Sequence, residues 1–338
     1  MNKRKKLYWQ IPFLVFLITG TILIIKQQHD MPYQHNKGFI FGTVYNITYQ
    51  SDKNLEKEII RELDQVDASL SPFNEKSIIS KINRNEEAVV DNYFYDVFNL
   101  AMQISEDTNG AFDITVAPIV NAWGFGFKSG NSPTNQYIDS LKQFVGYKKV
   151  KISKDKHVIK QDERIMLDCS AIAKGYGSDV VARLFNAKGI KNYMIEIGGE
   201  IVASGLSEKR LPWKIGITKP SEDSLGTSNE LQTILNITDC AMATSGNYRN
   251  FYYKNGKRYA HTIDPRTGYP IQHNILSATV IAKSCAQADA YATSFMVLGL
   301  EEAKKILERH PQLLAYLIYT NKNNEYEVWH SPALKIDE

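Results

Sequence analysis

Three groups of residues in this chain have the types and spacing that chemistry needs. His261 stands three residues before Asp264-Pro265-Arg266-Thr267-Gly268 in the stretch YAHTIDPRTGYP, 259–270. Pro265 fixes its own φ and keeps Asp264 out of the helical region, and Gly268 admits a left-handed residue, so the imidazole is held beside a stiff turn. A neutral imidazole can take a proton near physiological pH. Asp289 and Thr293 are four residues apart in AQADAYATSFMVLG, 286–299, which reads as a helix. Their carboxylate and hydroxyl therefore share one face. Two hard oxygens suit Mg²⁺, which binds few protein groups and keeps sites for water and phosphate oxygens. No histidine or cysteine cluster accompanies the pair, which argues against zinc. The third group is LDCSAIAKGYGSD, 167–179, where Asp168 lies at a strand-to-helix junction. Such junctions present free N–H groups that favour anions, and Lys174 with Gly175 would let a phosphate come close. The spacing is not a Walker loop and no GxGxxG follows a strand, so any phosphate binding is non-Rossmann. Read singly, these groups also fit an ordinary turn with a half-buried histidine and a polar pair on a helix surface.

The elements that must position them follow from periodicity. GFIFGTVYNITYQ, 38–50, alternates as one strand, with Gly42 marking a bulge or a close approach to the backbone. Leu55, Ile59, Leu63 and Val66 recur at helical spacing, and helices are expected over 77–83 and 93–107, the latter stopped by Asn109-Gly110. Residues 112–116 read as β-like, and Pro118 starts an irregular segment in which Trp123 is either core packing or a floor for a flat ligand. A helix over 133–145, a hairpin over 149–160, a strand over 165–168 and a helix over 170–188 follow. NYMIEIGGEIVASG is an apolar strand interrupted by Gly198-Gly199, where another backbone or a ligand comes close. Strands at 213–218 and 231–238 flank a polar loop, and an Asn255-Gly256 turn brings the ATSG segment, 243–246, near His261. A strand over 277–282, helices over 286–298 and 302–310, and a hairpin of 314–319 with 326–329 close the chain. With no repeat and no strict βαβ rhythm, the fold class is α+β.

At 338 residues, 43% hydrophobic and 11% aromatic, the chain can fill a sizeable core. Its 40 basic and 37 acidic residues give a net charge of +3, and the main basic cluster is Lys3–Lys6, so nothing calls for nucleic acid. That tail, 1–6, precedes an uncharged apolar run, 7–25, near the roughly 20 residues that span a bilayer. Positive residues before an apolar run keep that end in the cytoplasm. The expectation is an uncleaved signal anchor, with cleavage as the alternative, then a polar linker over 26–37. Cys169, Cys240 and Cys285 are far apart and form neither a disulfide framework nor a zinc site, so they read as free thiols.

Six stretches in order, GAFDITVAPIVNAWGFG, LDCSAIAKGYGSD, YMIEIGGEIVASG, ATSGNYRN, HTIDPRTGYP and ADAYATSFMVLG, resemble the ApbE family, the FAD:protein FMN transferases. The resemblance runs from Gly38 to Trp329, and the domain is set at 38–332. It implies the family's mixed-sheet α+β fold. It implies cleavage of FAD at its pyrophosphate, transfer of FMN to a threonine hydroxyl of a target flavoprotein, release of AMP and a requirement for Mg²⁺. Carried over by motif, the metal ligands are Asp289, Thr293 and the backbone carbonyl of Ala171. FAD contacts come from Phe41, Phe73, Ala111, Phe112, Asp113, Asp168, Lys174 and Ile263, and His261 is the catalytic histidine. Implied acceptors are subunits of Nqr- and Rnf-type membrane redox complexes, with the catalytic domain outside a bacterial inner membrane. Phe41 stands where the family usually has methionine, Phe73 where it often has tyrosine, and Ala292 where some members carry a second acid. Two other outcomes share these residues: a Mg²⁺-dependent FAD pyrophosphatase, and a non-catalytic flavin-binding or delivery module.

Overall fold

A computed structural model describes residues 3–127, 133–220, 230–247, 251–254, 257–272, 274–323 and 325–336, with backbone alone at 3–9, 25, 27–30, 251–254 and 257–260. Helix α1, Lys3–Asp30, leaves a continuous run of apolar side chains exposed, Phe13 to Ile18 among them. Among the described residues no helix is long and apolar enough to cross a membrane. The run at 7–25 includes residues 7–9 and 25, whose side chains lie outside the described ones.

The stretch read as one strand is a hairpin. Strand β1, Tyr33–Ile40, pairs with β2, Thr43–Gln50, and the two-residue loop has Phe41 at φ 52° and Gly42 at φ 74°. Two successive left-handed residues match the twist of a tight hairpin, but phenylalanine is no turn signal, so the alternation reads straight through. β1 also begins inside the stretch read as linker.

Helices α2, Glu56–Leu70, α3, Ile78–Asn83, and α4, Asn92–Asp107, come next. The Ser77 and Asp91 side chains cap α3 and α4, accepting from the amides of Ser80 and Phe94. Residues 112–116 form a turn instead of a strand, because the Asp113 carboxylate accepts the Thr115 N–H at 2.8 Å. The segment from Pro118 is helix α5, Ala117–Trp123, since proline in a first turn sacrifices no hydrogen bond. Helix α6, Asn135–Lys142, precedes the expected hairpin of β3, Val150–Ile152, with β4, Val158–Lys160. Ile165–Asp168 joins no strand ladder; the Asn83 side chain instead donates to the Leu167 carbonyl and accepts from its amide, at 2.8 and 2.7 Å.

Helix α7, Ser170–Ala187, leads to β5, Tyr193–Ile197, and β6, Glu200–Ser204, joined at Gly198-Gly199. Strands β7, Trp213–Thr218, and β8, Leu231–Ile237, form a separate ribbon, and β9 is Cys240–Gly246. Two short hairpins follow: β10, Phe251–Lys254, with β11, Lys257–Ala260, and β12, Ile263–Asp264, with β13, Tyr269–Pro270. The expected Asn255-Gly256 turn lies outside the described residues, although Lys254 pairs with Lys257 across it. Strand β14, Ile275–Ala282, helices α8, Cys285–Leu298, and α9, Leu300–Arg309, and strands β15, Leu314–Thr320, and β16, Tyr326–His330, complete the chain.

Eight strands form the main sheet in the order β1-β2-β5-β6-β9-β14-β15-β16. The fold is α+β as expected, but the sheet is not mixed: every ladder in it is antiparallel. Each excursion returns to the end of the sheet it left, so no βαβ crossover arises. Alternation on the strands builds two cores. Ala315 and Leu317 of β15 face the helices with Ala278 and Val280 of β14, whereas Tyr316 and Ile318 face the β7–β8 ribbon with Trp213 and Ile215.

Helix α8 is buried along nearly its whole length, between the sheet and α7. The two helices cross so closely that a Cβ at Gly175 would strike the backbone of Cys285 and, at 2.8 Å, the amide of Ala286. Gly175 is thus required by helix packing, not by an approaching phosphate. At Gly177 a Cβ would meet the Phe41 ring at 2.6 Å, a side chain able to move. Gly175→Ala is therefore expected to destabilise the fold by about 1–3 kcal/mol, and Gly177→Ala by clearly less, in urea unfolding of the two variants. Equal losses would place the constraint elsewhere.

Candidate active site

A cavity of about 840 Å³ opens where the start of α7, the β5–β6 turn, the β7 strand, the end of β9 and helix α8 converge. It lies in the upper part of the ~300–1,000 Å³ range of small-molecule sites. Ala111, Phe112 and Asp113 line it, with Asp168, Ala171 and Lys174 from the α7 region. His261, Ile263, Asp289, Thr293 and Phe73 line it too. Eleven of the twelve residues singled out in the sequence thus share one wall system, and Phe41 is the exception. Its ring packs beside Gly177 in the core, and its neighbours Thr43 and Val44 reach the cavity instead.

Trp123 is packing and not a floor. It is buried, its indole N–H donates to the Gly268 carbonyl at 2.9 Å, and its ring meets Tyr269 edge-on at 6.0 Å. It thereby clamps the Asp264–Gly268 turn onto α5. Within that turn Arg266 pairs with Asp264 at 2.9 Å, and the Gly268 amide donates to the Asp264 carbonyl at 2.8 Å. Between His261 and that turn, buried Thr262 donates to Asn247 Oδ1 at 2.7 Å, while the Asn247 amide donates to the Leu276 carbonyl at 3.0 Å. The segment that follows the half-buried His261 is therefore fixed twice, to the sheet at Thr262 and to the helices at the turn.

Asp113 is committed to the scaffold. Its two carboxylate oxygens accept from Thr115 N–H, Thr115 Oγ1 and the Tyr147 amide, at 2.8, 2.6 and 2.7 Å. Burial pushes its pKa up, and those hydrogen bonds oppose the rise. Asp168 accepts from the Ser170 amide at 2.8 Å, opening α7. Burial raises its pKa as well.

Lys174 donates to Glu200 Oε1 at 2.9 Å and lies 3.9 Å from Asp289 Oδ2. Burial alone would lower its pKa, but Asp289 and Glu200 outweigh that and hold it above the ordinary lysine value. The ammonium stays charged at neutral pH. Burial likewise pushes the Asp289 carboxyl up against the pull of Lys174. Thr293 Oγ1 shares a 3.0 Å hydrogen bond with Ser245 of β9. Since Asp289 is 3% exposed, the pair is no helix-surface feature.

These donors fit a hard divalent cation. Asp289, Thr293 and the Ala171 carbonyl supply oxygen only, and among the described residues no group of three or more His, Cys, Asp or Glu side chains is placed to hold a metal. Mg²⁺ needs no such cluster. The Gly175 N–H, which a regular helix aims at the Ala171 carbonyl, lies 3.2 Å from Asp289 Oδ2. Glu200 Oε2 is buried with no hydrogen-bond partner, and burial pushes the Glu200 carboxyl up to about 8 against the pull of Lys174.

A family model for the ApbE family matches residues 41–318. The chain belongs to the ApbE family. It is 37% identical to the FAD:protein FMN transferase of Vibrio cholerae over 298 residues, covering 85% of this chain and 88% of that one. Against the FAD:protein FMN transferase of Escherichia coli K12 the identity is 34% over 302 residues, 87% of this chain and 84% of the other. Among solved structures, the flavin transferase ApbE of Vibrio cholerae superposes with a TM-score of 0.80 at 35% identity, covering 90% of this chain and 98% of that one. The apo form of the Pseudomonas stutzeri flavinyl transferase ApbE gives 0.79 at 29% identity, covering 90% and 96%.

Sequence reasoning missed Glu200 and Asp179. Glu200 follows the Gly198-Gly199 turn, and only its burial beside Lys174 marks it. Asp179, on α7, accepts from the first amides of α8, Cys285 and Ala286, at 2.8 and 2.9 Å, so it anchors the helix that carries Asp289 and Thr293. Burial pushes the Asp179 carboxyl up from 3.8 to about 6. A folded-state pKa raised above the unfolded one contributes stability that is present below pH 3.8 and lost as pH rises through about 6. Asp179→Asn should therefore flatten the stability profile between about pH 4 and 6, by at most ~3 kcal/mol, in thermal unfolding of wild type and variant across that range. Parallel profiles would exclude this carboxyl as their source.

Proposed function

We propose that the chain is a Mg²⁺-dependent FAD:protein FMN transferase that joins FMN to a threonine hydroxyl of an acceptor flavoprotein and releases AMP. The observation that carries this reading is the convergence, in one 840 Å³ cavity, of an imidazole with a charged lysine and a carboxylate–hydroxyl pair. A flavin-binding module has no use for a base in that company.

The threonine oxygen attacks the phosphorus on the FMN side of the pyrophosphate. Its proton passes to neutral His261, the new P–O bond forms, and the bond to the AMP phosphate breaks with its electron pair on that phosphate. The Lys174 ammonium stabilises the negative charge that develops there. Mg²⁺, held by Asp289, Thr293 and the Ala171 carbonyl, supplies further charge neutralisation when bound. Phe73, 68% exposed at the cavity and edge-on to Phe127 at 6.3 Å, offers an aromatic face to the isoalloxazine ring.

The proposed acceptors are threonine-bearing subunits of Nqr- or Rnf-type membrane redox complexes. The proposed location is the inner membrane, with 7–25 as a single anchor and the catalytic domain on its outer side. Exposed apolar residues along α1 and the basic Lys3–Lys6 before them support that placement.

The test is intact mass of an acceptor domain after incubation with the full chain in detergent, FAD and Mg²⁺. The expected result is a gain of one FMN, slowed about 10²- to 10⁴-fold by His261→Ala while FAD still binds. Free FMN and AMP with an unlabelled acceptor would instead identify a pyrophosphatase, and transfer unaffected by His261→Ala would remove the imidazole from the mechanism.

A further inference from the structure

Glu200 opens β6 directly after Gly198 and Gly199, at φ 64° and 102°, so the turn delivers its carboxyl to the start of α7. The residue is 3% exposed. Oε1 accepts from Lys174 at 2.9 Å, and Oε2 is buried with no hydrogen-bond partner. The same ammonium lies 3.9 Å from Asp289 Oδ2. Two buried carboxyl groups therefore face one ammonium. A carboxylate oxygen without a partner in such surroundings costs several kcal/mol unless a positive charge answers it.

We infer that Glu200 is a positioning residue with two tasks: Oε1 fixes the Lys174 ammonium, and the unpartnered Oε2 joins Asp289 in drawing a divalent cation into the cavity. Resting on the Mg²⁺ reading above, the inference adds to it an acidic group outside the Asp289–Thr293–Ala171 set. An ordinary structural ion pair would use both partners up. Here the second oxygen is left over, and Glu200 and Asp289 both line the cavity. Oxygen groups behind a metal's direct ligands commonly set its affinity by 10- to 100-fold.

The probe is Mn²⁺ alone, titrated into the full chain in detergent and followed by the electron paramagnetic resonance of the free ion. Glu200→Gln keeps the shape and the acceptor for Lys174 but removes the acid that a cation can ionise. Its expected effect is at least a tenfold loss of Mn²⁺ affinity, with metal-free thermal stability equal to or above that of the wild type. The rise in melting temperature that Mn²⁺ gives the wild type should shrink in parallel. Asp289→Ala is the reference. If it weakens Mn²⁺ binding and Glu200→Gln does not, the role of Glu200 is overturned while the metal reading stands. If neither weakens it, or the wild type binds no Mn²⁺, both fail. Lower metal-free stability with unchanged affinity marks a structural ion pair only and also overturns the inference. Glu200→Asp, which keeps the acid, should bind Mn²⁺ more tightly than Glu200→Gln; equal affinity would show that the acid is not what matters.

Discussion

Everything about this site depends on how closely α7 and α8 approach at Gly175. The missing side chain there lets the two backbones touch, and that contact sets the Lys174 ammonium 3.9 Å from the Asp289 carboxylate on the other helix. The Asp289 carboxyl is shut away from water, and the Lys174 ammonium beside it is only partly exposed, so the charges lean on each other. Each makes the other's burial possible, and Glu200 joins them from the sheet. Asp179, one turn further along α7, secures the start of α8 through two backbone amides. Packing between two helices thus comes first, and the electrostatics of the site follow from it.

The other half of the site is built differently. His261 sits on an irregular connection, where no ladder or helix fixes a side chain. Its position is set instead by what grips its neighbours: Trp123 through the turn at Gly268, and Asn247 through Thr262. The cavity therefore joins a helix-borne charged cluster to a loop-borne imidazole. Their separation is maintained by the main sheet, against which α8 packs and from which β9 and β14 extend to the His261 connection.

Much of this was legible in the sequence. The helical periods of α2, α4 and α7 and the hairpins of β3–β4 and β15–β16 emerge from local pattern, because each has a face that local pattern describes. Six ordered motifs located the site, and eleven of twelve residues reached it. The misreadings share a cause: a residue's partner lay far along the chain. Gly175 looked like room for a phosphate and is room for Cys285. Trp123 fitted core packing or a platform equally, and its distant partner Gly268 decides for packing. Phe41 looked like a cavity wall, but the hairpin loop turns it toward Gly177. Residues 112–116 alternate like a strand, yet a single carboxylate bonded to its own backbone bends them. Glu200 has no signal of its own, since a charged residue in an apolar strand acquires meaning only from the lysine it meets.

One wall of the cavity differs in kind from the rest. Among the described residues the β7–β8 ribbon shares no ladder with the eight-stranded sheet, so side chains attach it: Trp213 and Ile215 pack against Tyr316 and Ile318, and the Trp213 indole N–H donates to the Ser204 carbonyl of β6 at 2.9 Å. Main-chain hydrogen bonds resist sliding because they are directional, whereas apolar contacts exchange one neighbour for another at little cost. The container is therefore mechanically lopsided. Its charged wall on α7 and α8 is tied by ion pairs and close backbone contact, and its ribbon wall mainly by side-chain packing. Accommodating a larger occupant would thus cost fewer directional bonds on the ribbon side than among Lys174, Glu200 and Asp289.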